Sequence, residues 1–78
     1  MPLPEHDVTI DATDLRCPEP LMLVRHKLMD LQAGQILKVI ATDPSTTRDF
    51  RDFCRFLNHR LLHYEQSDAV FSYWIEKG

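Results

Sequence analysis

Glycine is almost missing from this 78-residue chain, which has only Gly34 and Gly78. A glycine-rich loop that cradles phosphate with its backbone amides is therefore excluded. Cysteine is as scarce: Cys17 and Cys54 are too few for a disulfide scaffold. They are also not spaced as C-x-x-C, so dithiol exchange of the thioredoxin kind lacks its second sulfur. Positive charge is short, with nine Lys and Arg against twelve Asp and Glu and a net charge of −3. Nucleic-acid affinity comes mostly from phosphate contacts, so no strong direct binding of DNA or RNA is expected. No apolar run approaches the ~18 residues of a membrane span. The opening Met1-Pro2-Leu3-Pro4-Glu5-His6-Asp7 has neither the basic region nor the apolar stretch of an export signal. The expectation is a cytoplasmic protein with no membrane partner. His6, His26, His59 and His63 form no paired ligand spacing with the cysteines, so no metal site is expected and the histidines read as solvated surface residues.

What is present is enough apolar residue, 44%, for one small core. Residues 1–78 read as a single domain, with 1–7 as a flexible N-terminal arm. Val8-Thr9-Ile10-Asp11-Ala12 alternates as a strand with one covered face does. From Leu21 the period becomes helical, with Leu21, Val24, Leu28 and Leu31 on one stripe and Gly34 as the stop. Ile36 to Thr42 is β-branched and apolar, a second strand. Asp43-Pro44-Ser45-Thr46-Thr47 offers N-caps for a second helix, whose core stripe is Phe50, Phe53, Cys54 and Leu57. Asn58 and His59 end it. Leu61–Glu65 and Val70–Glu76 make a hairpin around Gln66-Ser67-Asp68-Ala69.

The order β-α-β-α-β-β, with Thr9, Asp11, Lys38, His63, Glu65 and Ser72 as polar residues between apolar ones, predicts strands covered on one side only. The fold class is α/β (α+β): a two-layer sandwich, a four-stranded mixed sheet with both helices on one face. Ile36, Ile40 and Trp74 fall on the open face.

Cys17 is placed at a strand-to-helix junction, just before the first helical turn. Unpaired N–H groups and the helix dipole favour thiolate there, which predicts a modestly depressed thiol pKa. Arg16 adds a neighbouring cation, Glu19 opposes it, and Pro18 and Pro20 stiffen the exit of the sulfur. Cys54, on an apolar stripe, reads as an inert core thiol. Met22, Arg25 and Met29 form a second stripe on the first helix, either a docking surface or the edge of the core.

The segment Leu15-Arg16-Cys17-Pro18-Glu19-Pro20, with its Cys-Pro-x-Pro, resembles the TusA/SirA-like family of sulfur carrier proteins. The likeness continues through Met22, Val24 and Arg25, then Asp43-Pro44-Ser45-Thr46-Thr47-Arg48-Asp49, then Phe53-Cys54, and is nearer to the TusA branch. The resemblance implies that Cys17 accepts a sulfane sulfur from a cysteine desulfurase as a persulfide. Cys17 then passes it to a downstream sulfur-transfer protein, most directly toward 2-thiouridine at the tRNA wobble position. It also implies no cofactor, a carrier in place of a stand-alone multiple-turnover enzyme, and Met22, Arg25 and Asp43 near the partner surface. Relatives serve molybdenum cofactor synthesis and sulfur oxidation as well. Two other functions fit the residues: a non-catalytic interaction domain of the same fold, and a redox sensor in which Cys17 becomes sulfenic acid.

Overall fold

The computed structural model describes residues 4–78. The elements are β1 (Val8–Ala12), α1 (Glu19–Met29), β2 (Ile36–Ala41), α2 (Thr46–Leu57), β3 (Arg60–Ser67) and β4 (Val70–Glu76). The sheet order is β1-β2-β4-β3, with β1 and β2 parallel and both pairs made by β4 antiparallel. The sheet is mixed, as the element order predicts. Strand β4 sits between β2 and β3, so each helix connects two strands that run the same way.

Strand alternation assigns the two faces. Ala12, Leu37, Val39, Ala41, Phe71, Tyr73 and Ile75 point to one side and join Val24 and Leu28 of α1 and Phe50, Phe53 and Cys54 of α2 in the core. The other side carries Thr9, Lys38, His63 and Ser72, in neighbouring register positions. Trp74 lies on this open face yet is only 2% exposed. Lys38 places its Nζ 5.2 Å from the ring centroid, and the His63 ring stands 5.4 Å from it. The long lysine stem and the imidazole together remove the indole from water, as amphipathic side chains do over apolar surface.

Several boundaries differ from the sequence reading, each for a local reason. Helix α1 stops at Met29 with Asp30 as its cap, five residues short of Gly34. Leu31 is still buried, because its N–H bonds to the Leu28 carbonyl and turns it back under the helix. Gly34 has φ +92° and belongs to the following turn, where its N–H donates to the Lys77 carbonyl at 2.8 Å. The hairpin is tighter than expected: Ser67 pairs with Val70, leaving Asp68 and Ala69 as the turn. Asp68 supplies the positive φ, 54°, which Asp tolerates better than most residues. Leu57, assigned to the core stripe, is 50% exposed at the end of α2. Asn58 there adopts the left-handed conformation and the chain leaves the helix before Leu57 is covered.

Of the arm expected over 1–7, residues 1–3 lie outside the described residues. Asp7 is fixed to the sheet, its N–H donating to the Ile36 carbonyl and its carboxylate accepting from the Ile36 N–H, both at 2.8 Å. His59 also departs from a purely solvated role. It stacks on Phe53 at 5.6 Å, and its Nδ1 accepts the Gly78 N–H.

A polar post stands in the interior. Tyr73 lies edge-on to Phe50, with ring centroids 4.7 Å apart, and its hydroxyl reaches Thr46 Oγ1 at 2.7 Å and Thr47 Oγ1 at 2.8 Å. This post joins the central strand β4 to the first turn of α2. The Thr46 hydroxyl donates onward to the Asp43 carbonyl at 2.7 Å, carrying the connection into the loop before the helix. Tyr73→Phe should therefore lower the unfolding free energy by about 1–2 kcal/mol, the usual cost of unpairing a buried hydroxyl partner, while both helices persist by circular dichroism.

Candidate functional site

The two βα junctions, after β1 and after β2, lie side by side because β1 and β2 are parallel neighbours. Asp14 has a positive φ of 65°, and its N–H donates to Thr42 Oγ1 at 2.8 Å, which ties one junction to the other. Asp43 makes the second tie. Its Oδ2 accepts the Cys17 N–H at 2.7 Å, and its Oδ1 accepts the Ser45 N–H at 3.0 Å and the Ser45 hydroxyl at 2.9 Å. One carboxylate thus holds the backbone of the Cys17 loop and the start of α2 in fixed relation.

Cys17 is exposed and Cys54 is buried at 3%. The sequence contrast between the two thiols is correct in placement. Burial pushes the Cys54 thiol up to about 11. Cys17 stands one residue before Pro18, the N-cap of α1, and the peptide joining them is cis.

The expected depression of the Cys17 pKa is contradicted: the thiol is raised above its ordinary value. The largest cause is the influence of the Asp49 side chain. Slight desolvation and the charges of Asp49 and Asp43 add to it, and the Ser45 hydroxyl opposes. The helix end is also poorer in donors than a generic N-terminus. Pro18 and Pro20 carry no N–H, and the Glu19 N–H is spent on the Arg16 carbonyl at 2.9 Å. The same prolines that stiffen the exit remove the amides that were to stabilise a thiolate. The sequence reading counted the dipole and missed two carboxylates arriving from the β2–α2 junction.

The other expected residues divide. Arg16 does not figure among the groups that shift the sulfur; its charge is the last of the influences that lower the Asp43 carboxyl, after the Ser45 and Cys17 amides and the Ser45 hydroxyl. Glu19 is exposed in the first turn of α1 and does not figure among the groups that shift Cys17. Pro20 is buried and anchors that turn; Pro18 is exposed. Pro18, Leu21, Met22, Arg25, Phe53 and Leu57 line a largely apolar groove of about 370 Å³ between the two helices. Met22 and Arg25 therefore meet, as their helical spacing predicts, and the displaced Leu57 joins them. Asp43 does not join that groove. It lines a separate, polar cavity of about 360 Å³ with Asp14, Leu15, Arg16, Thr42 and Pro44. Cys17 thus stands between residues that open onto two different surfaces, Arg16 on the polar one and Pro18 on the apolar one.

Asp49 and Ser45 are the site residues that the sequence reading left without a role. Both fall in the Asp43–Asp49 segment, but nothing in a linear pattern says that the first turn of α2 faces Cys17. Among the described residues there is no group of three or more His, Cys, Asp or Glu side chains fit to hold a metal ion, and no helix is long and apolar enough to cross a membrane.

Two outcomes test this geometry. Iodoacetamide should label Cys17 and spare Cys54 in the native protein, and the Cys17 rate should rise with pH about a midpoint above that of free cysteine, not below it. Asp43 has a folded pKa below 3.8, so its clamp is complete above that value and is lost as pH falls through the lower, folded one. Exchange of the Cys17 amide, relative to its intrinsic rate, should stay slow down to about pH 4 and quicken only below it. In Asp43→Ala it should be fast throughout.

A family model described as "Sulfurtransferase TusA" matches residues 8–77. The chain is 53% identical over 72 residues to the sulfur carrier protein TusA of Pseudomonas entomophila, an alignment covering 92% of this chain and 90% of the relative. It is 51% identical to the sulfur carrier protein TusA of Pseudomonas aeruginosa, over 91% of this chain and 90% of that one. The crystal structure of a SirA-like protein from Desulfitobacterium hafniense superposes with a TM-score of 0.82 at 23% identity, covering 92% of this chain and 99% of that chain, a likeness of fold. With a family model spanning almost the whole domain and relatives at half identity, this chain belongs to the TusA sulfurtransferase family.

Proposed function

We propose that the protein is a sulfur carrier that takes a sulfane sulfur onto Cys17 from a cysteine desulfurase and gives it to a downstream sulfur-transfer protein. The observation that carries this reading is the placement of Cys17: an exposed sulfur on a loop clamped at both ends, between two open surfaces. A carrier needs just this, because its sulfur must enter another protein's active site twice, once to load and once to unload. In this reading the chain is a substrate that is passed along in place of a stand-alone catalyst.

In the loading step the Cys17 thiol gives its proton to solvent, and the thiolate attacks the terminal sulfur of the donor persulfide. A bond forms between Cys17 Sγ and that sulfur. The donor's sulfur–sulfur bond breaks, and its electron pair leaves on the donor cysteine, which takes up a proton. One thiol and one persulfide give one persulfide and one thiol, so no oxidant or reductant is required. Unloading is the same exchange with Cys17 as the leaving group. The names of the relatives favour a sulfur relay, and the finer assignment is a relay in the cytoplasm toward 2-thiouridine at the wobble position of tRNA.

The raised thiol pKa weighs against the redox sensor, since sensor cysteines are low-pKa thiols. Incubation with a desulfurase and cysteine should add the mass of one or more sulfur atoms, removable by reductant. Cys17→Ser should gain none, with stability little changed because the side chain is exposed. Cys54→Ser should load normally but lose about 1–3 kcal/mol of stability, because a hydroxyl would enter the apolar core. Unchanged mass in the wild type with intact partner binding would replace the carrier with a docking domain, and a gain only with peroxide would restore the sensor. Loss of 2-thiouridine from tRNA on deletion of the gene tests the finer assignment.

A further inference from the structure

Three hydroxyls meet in the interior of a chain that has little core to spare. Tyr73 is fully buried and Thr46 is 1% exposed. A phenylalanine and a valine would fill the same space with no polar atom to satisfy. The Tyr73 Oη lies 2.7 Å from Thr46 Oγ1 and 2.8 Å from Thr47 Oγ1. Thr46 Oγ1 in turn stands 2.7 Å from the Asp43 carbonyl, which can only accept. The single proton of the Thr46 hydroxyl is therefore spent on Asp43. Tyr73 must donate to Thr46, and Thr47 to Tyr73, so the last bond fixes the direction of the other two.

This chain of donors ends on the residue that holds Cys17. The Asp43 carbonyl takes the Thr46 hydroxyl at 2.7 Å and the Thr46 N–H at 3.1 Å. The Asp43 carboxylate takes both Ser45 donors on Oδ1 and the Cys17 N–H on Oδ2. Backbone and side chain of Asp43 are thus fixed separately, which leaves the carboxylate one place to stand. From Tyr73 Oη to Cys17 N the path consists of three hydrogen bonds of 2.7 Å, joined by the Thr46 hydroxyl and by Asp43 itself. Buried hydrogen bonds in series polarise one another, so each depends on its neighbours. Without the Tyr73 hydroxyl, the Thr46 hydroxyl loses the donor that orients it and is free to turn away from the Asp43 carbonyl.

We propose that Tyr73 is a positioning residue for sulfur transfer: acting through Thr46 and Asp43, its hydroxyl sets the place from which the Cys17 side chain projects. This inference rests on the carrier reading and deepens it. Tyr73 is sealed in the core and meets no partner, so it acts on transfer only through the chain. Exchange between a thiol and a persulfide needs the attacking sulfur in line with the sulfur–sulfur bond, and a small displacement is costly. An exposed loop that reached its partner in many arrangements would lose rate at that step. The buried hydroxyls give the loop a reference point in β4, a strand paired on both sides.

The test compares wild type with Tyr73→Phe, Thr46→Val, Thr46→Ser and Ile75→Val. Two quantities are measured: exchange of the Cys17 amide relative to its intrinsic rate, and sulfur loading by a cysteine desulfurase with cysteine across a range of carrier concentrations. Tyr73→Phe and Thr46→Val should each speed exchange of the Cys17 amide by about threefold or more. Each should lower the loading rate at saturating carrier by a similar factor, with the half-saturating concentration within about twofold of wild type. Thr46→Ser, which keeps the hydroxyl, should stay close to wild type in both. Ile75→Val, a truncation elsewhere in the core, shows what lost stability does by itself, and should leave the Cys17 amide and the loading rate in place. If Tyr73→Phe does not fold, Thr46→Val breaks the same chain from the helix side. The proposal is overturned if exchange or loading in the hydroxyl-less variants coincides with wild type, or if Ile75→Val changes them equally. In those cases the wild type still loads and the carrier stands. No uptake by the wild type removes the carrier reading and, with it, this role for Tyr73, whatever the amide does.

Discussion

The carboxylate of Asp43 is the contact on which the site depends. It accepts one amide from the Cys17 loop and two donors from Ser45, and so joins a segment 26 residues earlier to the start of α2. Hydrogen bonds to a charged acceptor are stronger than neutral ones, and here three of them meet on one side chain. Behind it, the Asp43 carbonyl accepts from Thr46, whose hydroxyl meets Tyr73 in the core. The Cys17 loop is thus linked, bond by bond, to the middle of the sheet. That continuity lets a fold of this size present an exposed cysteine at a fixed place.

The same arrangement sets a limit on reactivity. Anchoring with a carboxylate puts negative charge close to the sulfur, and Asp49 adds a second. An isolated enzyme would gain by removing both, because its cysteine must ionise unaided. A carrier whose sulfur reacts within a partner's site can tolerate them, because the partner's own charges also act on the thiol there.

Much of the architecture was legible in the sequence because it follows from local periodicity. Alternation in Val8–Ala12 and the change to helical spacing after Cys17 give element type and order, and polar residues between apolar ones in the strands give a sheet covered on one face. The legible part of the site is the contrast of two thiols, since Cys54 shares a stripe with Phe50 and Phe53 and Cys17 does not. Less was legible where a residue's environment comes from a distant segment. Trp74 was placed on the open face, but its burial needs Lys38 of β2 and His63 of β3 to close over it. Leu57 kept its helical spacing and lost its burial, because the left-handed Asn58 ends the helix at the edge of the core.

Sequence alone therefore determined which sulfur faces water and which layer covers the sheet, since both depend on spacing within an element. The electrostatic state of that sulfur was decided only by tertiary structure. Parallel pairing of β1 with β2 sets two junctions side by side, and Asp43 and Asp49 reach a cysteine from which they are remote along the chain. A local reading saw a helix end and assigned a low pKa. The folded molecule brings the influence of two carboxylates there and gives the reverse, because a turn whose prolines have no amide to offer has little dipole to set against them.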